Sequence, residues 1–224
     1  MYVIISSCTA LKDDSVPIPQ NSRTVEPHHY LEEPLLSTFL KIRRRILSDP
    51  RARLGQRTTY ALDLYTRAGR AYKDTFKNNY TKLKPLLISG ETLEWFFLSG
   101  GYGIIHALEE ARSYQATFSR AIAQQNNIPY TADLWRNILP QICDSILSKT
   151  KCDYVYIFGS RDYTSFIKET KFWRTAENIK IFESSGSAGP NWLSPIICDL
   201  VGKILNGDVA TFNSKYGKFT KQAK

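Results

Sequence analysis

The sequence predicts an α/β fold with three α/β/α layers around a four-stranded, mainly parallel sheet. Three observations carry that expectation. Four short apolar runs, at about 2–7, 94–99, 153–158 and 178–183, have the length of buried strands. Stretches of helical periodicity separate them, and that alternation is the mark of a parallel sheet flanked by helices. Finally, 224 residues of which 42% are hydrophobic suffice for one sizeable core, so the chain is read as a single domain, 1–224.

The first run, from Tyr2 to Ser7, ends at Ser6-Ser7-Cys8-Thr9. Residues 10–33 hold Asp13, Asp14, Pro17, Pro19, Asn21 and Pro27 and are expected to form an irregular loop. Residues 34–48 space Leu35, Leu36, Phe39, Leu40, Ile42 and Ile46 as a helix, which Asp49-Pro50 ends. Thr58–Tyr80 is expected to be helical in pieces, with a further piece to about Ile88. Trp95-Phe-Phe-Leu98 is the second strand, and it stops abruptly at Ser99-Gly100-Gly101. Helical periodicity follows over Ser113–Asn126 and, more strongly, over Thr131–Lys149. The third strand ends at Gly159-Ser160 and leads into a helix through Phe166. The fourth ends in Ser184-Ser185-Gly186-Ser187-Ala188-Gly189-Pro190-Asn191-Trp192, ahead of a last helix over about 193–205. A basic tail occupies about 207–224.

Charge points to a polyanionic partner. The net charge is +9, and it is uneven: Lys41, Arg43, Arg44, Arg45, Arg51, Arg53 and Arg57 face one acid, Asp49. The tail adds Lys215, Lys218, Lys221 and Lys224. Clustered cations of this kind suit nucleic acid, although a tail lysine also serves solubility. No run approaches the roughly 20 apolar residues of a membrane span, and the N-terminus lacks the basic start of a signal peptide. A cytoplasmic monomer with no membrane contact is expected, associated with the nucleoid when acting. Cys8, Cys143, Cys152 and Cys198 are widely spaced and form no Cys-x-x-Cys, so free thiols are expected and neither a disulfide framework nor a metal site. No phosphate loop, dinucleotide fingerprint or nucleophile elbow is present, and no cofactor is expected.

In an open parallel sheet, ligands bind past the carboxyl ends of the strands. The four strand-end loops are therefore the candidate site. They bring Ser6, Ser7, Cys8, Thr9, Ser99, Gly100, Gly101, Tyr102, Gly159 and Ser160 to one edge, with His106 and Tyr114 shortly after. Glycines there let backbone approach a neighbour that a side chain would block.

Several blocks resemble the YaaA-like superfamily: Ser7-Cys8-Thr9-x-x-Lys12, then Ala61-Leu62-Asp63-Leu64-Tyr65, then Ser99-Gly-x-Tyr102-Gly103-Ile-Ile with Leu108-Glu109 and Tyr114, then Tyr156-Ile-Phe-Gly159-x-x-x-Tyr163. Their order and spacing cover most of the chain apart from 13–55 and the tail. Glu109 stands where that family usually has Asp, and Ser113 where it tends to have Pro. The last two strands and their Ser/Gly/Pro loop are also similar to the end of the uracil-DNA-glycosylase fold. Some YaaA-like proteins are base-excising DNA glycosylases used against phages with glucosylated hydroxymethylcytosine.

The resemblance implies a metal-free, monofunctional DNA glycosylase in antiviral defence, acting on double-stranded DNA that carries modified bases. Asp63 and Glu109, both inside matching blocks, become the candidate catalytic acids, because a carboxylate can stabilise the positive charge that grows on the sugar. The structural alternatives are a surface carboxylate for Asp63 and an ion pair, with Arg112 for example, for Glu109. Ser6, Ser7, Cys8, Thr9, Tyr65, Ser99, Gly100, Gly101, Tyr102, His106, Tyr114, Gly159 and Ser160 would line the base and sugar pocket. Lys12, Arg43, Arg44, Arg45, Arg51, Arg53, Arg57, Ser184, Ser185, Ser187, Asn191 and Trp192 would hold the DNA, with Trp192 either wedging the duplex or anchoring the last helix. Two other functions fit the same letters: a non-enzymatic DNA-binding protein of oxidative stress, and a nucleoside-processing enzyme acting on N-glycosidic bonds.

Overall fold

The computed structural model describes residues 1–184 and 189–219. In chain order it has β1 (Tyr2–Ser7), α1 (Leu35–Leu47), β2 (Thr58–Tyr60), α2 (Ala61–Thr66), α3 (Lys73–Ser89), β3 (Leu93–Ser99), β4 (Gly103–His106) and β5 (Glu110–Arg112). There follow α4 (Arg120–Asn126), α5 (Ala132–Trp135), α6 (Leu139–Lys149), β6 (Tyr154–Ser160), α7 (Arg161–Lys168), α8 (Lys171–Thr175), β7 (Ile179–Ser184), α9 (Gly189–Leu205) and α10 (Val209–Lys215). The main sheet has five strands in the order β4-β3-β1-β6-β7. Four are parallel, and β4 returns antiparallel against β3.

The parallel strands are nearly continuous apolar runs because both faces are covered. Val3, Ile4 and Ile5 at the centre are fully buried. Registers place Ser7 beside Leu98, Ser6 beside Phe158, and Ser160 beside Ser184, so all four strand ends reach one edge of the sheet. On one side α3 and α9 pack on each other and touch β3, β6 and β7. The helices α6, α7 and α8 form a second group that touches β4, β6 and β7.

The fifth strand corrects the expected four. The sequence assigns no element to Gly103-Ile104-Ile105-His106, yet all four residues are buried and pair with Phe96–Ser99. The turn is tight because Ser99 Oγ accepts from Tyr102 N at 2.9 Å, and Gly103 takes φ +74°, where a side chain would also meet the Trp135 ring. The chain then pairs β5 with β2 in a two-stranded antiparallel sheet. The hairpin also starts α2: Ala61 N donates to Glu109 O at 2.9 Å and Leu62 N to Ala107 O at 2.8 Å, which satisfies N–H groups that open a helix. The helix expected over 113–126 is therefore confined to α4, and the strongly periodic 131–149 stretch breaks into α5 and α6.

An edge strand needs cover, and α1 supplies part of it through Arg43. Arg43 Nε donates to Tyr102 O at 2.7 Å and an Nη to Ile104 O at 2.5 Å, while the guanidinium pairs with the Glu109 carboxylate. Tyr30 Oη donates to the same carboxylate at 2.8 Å. The guanidinium carbon lies 4.1 Å from the Phe39 ring centroid. Burial is the largest single influence on Arg43 and would lower its pKa, but the charge and hydrogen bond of Glu109 together with Tyr30 and Tyr102 outweigh it, and the net shift is upward. Breaking such a pair leaves a buried charge without compensation, which costs about 3–5 kcal/mol. Arg43→Met and Glu109→Gln are each expected to lower the urea-unfolding free energy by about that amount, and the double variant Arg43→Met with Glu109→Gln to lose less than the two single losses added together. Additive losses would show that the two groups act independently.

Candidate functional site

At the carboxyl ends of β1, β3 and β6, side chains from five segments converge. Cys8 N donates to Leu98 O at 2.7 Å, carrying the β1–β3 pairing one residue further and holding the thiol at the sheet edge. Tyr114 Oη lies 2.6 Å from Ser99 Oγ, 3.2 Å from Tyr65 Oη and 3.5 Å from Cys8 Sγ. On the other side of the thiol, Tyr163 Oη is 3.8 Å from Cys8 Sγ and 3.3 Å from Thr117 Oγ1. The tyrosines, Ser99 and Thr117 are buried, whereas Cys8 is only partly so. Desolvation by burial pushes the Tyr65, Tyr114 and Tyr163 pKa values well above the phenol range, so at neutral pH all three keep their protons.

Lys12 stands at the rim. Its Nζ donates to Thr9 O at 3.0 Å and to Ala10 O at 3.4 Å, and lies 4.3 Å from the Tyr114 ring centroid. Burial lowers its pKa, with Cys8 acting weakly in the opposite sense. The next two residues are engaged elsewhere: Asp13 pairs with Arg67 at 3.1 Å and Asp14 accepts from Ser113 Oγ at 2.7 Å. Hydrogen bonds from Ser15, foremost, and Arg67 hold Asp13 below the usual carboxylate range.

The glycine turn serves this cluster indirectly. A Cβ on Gly100 would sit 2.5 Å from Ala116 O and Thr117 N, and one on Gly101 would sit 2.6 Å from the Tyr114 ring. Gly100 O in turn accepts from Thr131 Oγ1 at 2.7 Å. What approaches closely is the chain's own 114–117 segment, which carries Tyr114 and Thr117 into the cluster.

The structure distributes the other expected site residues over several places. Ser6 Oγ is buried and accepts from Trp95 Nε1 at 2.8 Å, and Ser7 O accepts from Tyr72 Oη. Thr9 Oγ1 donates to Leu11 O at 2.5 Å. Gly159 lies against Ser7, and Ser160 ends β6. Tyr102 is tied up inside the hairpin, its Oη accepting from Arg112 N at 2.8 Å, and its ring meets that of Tyr114 edge-on. His106 lies opposite Phe96, well back from the strand ends, fully buried and bonded to Glu94. Its expected place among the donors of a base pocket gives way to that pairing, because β4 runs away from the edge.

The two expected acids are engaged as well. Asp63 is buried and bonds Tyr80 Oη and Lys84 Nζ, the latter at 3.3 Å, which ties α2 to α3. Glu109 pairs with Arg43 rather than Arg112, and Arg112 Nε donates to Gly55 O. Arg43 is thereby removed from the expected DNA-binding surface, since it is 6% exposed and its charge is spent inside the fold.

Among the remaining cations, Lys41, Arg44 and Arg45 are exposed on α1, and Arg51 pairs with Asp49 at 2.7 Å. Arg53 and Arg57 are exposed on a segment joined to the site, for Gly55 N donates to Ser113 O at 2.7 Å and Gln115 N to Ala52 O at 2.6 Å. Arg70 and Lys73 are exposed on either side of Tyr72. Asn191 and Trp192 are exposed at the start of α9, and the Trp192 ring lies 6.0 Å from that of Phe219. Ser184 ends β7, while Ser185, Ser187, Lys221 and Lys224 lie outside the described residues.

Two members of the cluster are additions to the expected set. Tyr163 closes the last of the quoted sequence blocks, four residues after Gly159 on the first turn beyond a strand. Thr117 has no such signal, because its position depends on the hairpin that the sequence concealed. Among the described residues no group of three or more His, Cys, Asp or Glu side chains could hold a metal ion, and no helix is long and apolar enough to cross a membrane. No protein-family model matches the chain, and no curated protein matches it.

The site geometry makes Gly101 a test of the cluster's packing. Gly101→Ala is expected to cost about 1–3 kcal/mol in urea unfolding, as an overpacked contact does, because the Tyr114 ring must move. Gly217→Ala, with nothing within 4 Å of the added carbon, is expected to change little.

Proposed function

We propose that this chain is a YaaA-like DNA glycosylase with the layered architecture of the uracil-DNA-glycosylase fold. It flips a modified pyrimidine out of duplex DNA, with glucosylated hydroxymethylcytosine of phage DNA as the leading substrate, and cleaves the bond to the sugar. The observation that carries this reading is the row of protonated hydroxyls at the strand ends, from Tyr65 through Ser99 and Tyr114 to Tyr163, around a half-buried thiol.

A base that departs from a sugar carries negative charge. Fixed O–H donors in a water-poor site stabilise that charge far better than solvent does. Tyr114 and Tyr163 are the donors assigned here, and the partly exposed side of Cys8 is where the base would enter. Asp63 and Glu109 support the frame through their cations. Phosphates meet Arg53 and Arg57 on one flank and Arg70 and Lys73 on the other, where each contact releases condensed counterions.

The test is incubation with unmodified duplex and with glucosyl-hydroxymethylcytosine duplex, followed by mass spectrometry of released base and alkali cleavage at abasic sites. Free modified base is expected from the second DNA alone. Tyr114→Phe and Tyr163→Phe are each expected to slow release by about 10²-fold, the scale of losing one donor to a developing anion. Salt-dependent binding without base release would establish a DNA-binding protein instead. Turnover of free nucleosides alone would establish a nucleoside-processing enzyme.

A further inference from the structure

Lys12 has a chemistry that base release leaves unused. Lys84, Lys149, Lys168, Lys203 and Lys215 each reach a carboxylate. Lys12 forms no ion pair among the described residues, although two acids follow it directly. Asp13 is turned to Arg67 and Asp14 to Ser113. The Lys12 amine is instead held by two carbonyl oxygens, Thr9 O and Ala10 O, above the face of Tyr114. Thr9 Oγ1 closes the same turn on Leu11 O, so the short loop that carries the lysine is internally tied. The Tyr114 ring beneath the amine ends in the hydroxyl that contacts Ser99 and Cys8. The amine thus stands at the mouth of the cluster without a counter-ion to keep it charged.

We propose that Lys12 is a catalytic amine that condenses with the C1′ aldehyde of an abasic sugar, giving this chain a strand-cleaving lyase step after base release. The inference rests on the glycosylase reading above, because base release is what creates the aldehyde. The lone pair of Nζ forms a bond to C1′, the aldehyde oxygen leaves as water, and a C=N bond results. A proton is then lost from C2′ to solvent, and its electron pair forms the C2′–C3′ double bond as the C3′–O bond breaks. The leaving phosphate keeps the electrons of that bond. Water finally adds to the C=N bond, freeing the unsaturated aldehyde and restoring the amine. Attack requires a neutral amine, and desolvation at the rim moves the Lys12 pKa in that direction.

The experiment incubates the full chain with a duplex bearing one abasic site in the presence of sodium cyanoborohydride, which reduces an imine to a stable adduct. This probe does not depend on which base is excised. A covalent protein–DNA adduct is expected, mapping to Lys12 by peptide mass spectrometry. Lys12→Arg and Lys12→Met are expected to reduce it at least 100-fold, although Lys12→Arg retains the positive charge. Thermal unfolding and salt-dependent binding to the same duplex check that both variants fold and bind.

An adduct that persists in Lys12→Arg would place the chemistry on another amine and overturn the inference. Base release from modified DNA with no adduct on the wild-type chain would also overturn it, leaving a monofunctional glycosylase. Neither release nor adduct would overturn both readings.

Discussion

The arrangement of this fold depends on one buried ion pair. Arg43 and Glu109 come from distant parts of the chain, yet each holds something that the site requires. Arg43 accounts for backbone carbonyls of the turn and the edge strand, at Tyr102 and Ile104. Glu109 fixes the point where the hairpin turns toward α2 and the small second sheet. With that corner in place, the chain beyond β5 runs back past Gly100 and Gly101 and brings Tyr114 and Thr117 to the strand ends. A buried pair is poor evidence for stability as such, since desolvation offsets much of the attraction. Its value here is positional, because an apolar replacement could fill the volume but could not bond those carbonyls.

The site follows from the same economy of backbone. Parallel strands end together, and two of them supply a short polar residue where the sheet stops. Cys8 comes from the end of β1, Ser99 from the end of β3, and Tyr163 from the helix that follows β6. The remaining members arrive on segments that pack over those ends: Tyr65 on α2, Tyr114 and Thr117 on the return of the hairpin. Burial then decides their chemistry. Phenols that cannot ionise remain donors, whereas an amine at the rim loses part of its preference for charge.

Much of the sheet was legible in the letters. Four bounded apolar runs marked the parallel strands to within a residue or two, because strands buried on both faces carry no competing polar pattern. The antiparallel β4 was hidden for a physical reason. It is short, follows a glycine turn, and is buried by α2, α6 and the Arg43 side chain rather than by alternation of its own residues. Missing it left Glu109 with Arg112 as its expected partner and Arg43 among the surface arginines, for a cationic run gives no sign of which member turns inward. Helical spacing over 113–118 misled in the same way, since Tyr114 and Phe118 are buried by an extended segment that crosses the sheet edge. At the site, Cys8 and Ser99 were within reach of sequence reasoning because they sit at strand ends, and Tyr65 and Tyr114 because they lie in the blocks that carry the resemblance. Tyr163 lies in such a block too but was not placed in the site, and Thr117 required the tertiary path.

The hydroxyl row at the strand ends has one more property. In the contacts Tyr65–Tyr114, Ser99–Tyr114 and Thr117–Tyr163, either oxygen can be the donor. At the thiol between them the direction is set: Tyr114 Oη donates to Cys8 Sγ, and Cys8 Sγ donates to Tyr163 Oη. The hydroxyls on either side of Cys8 can reorient without moving a heavy atom, while the thiol passes its hydrogen one way, from the Tyr114 side to the Tyr163 side.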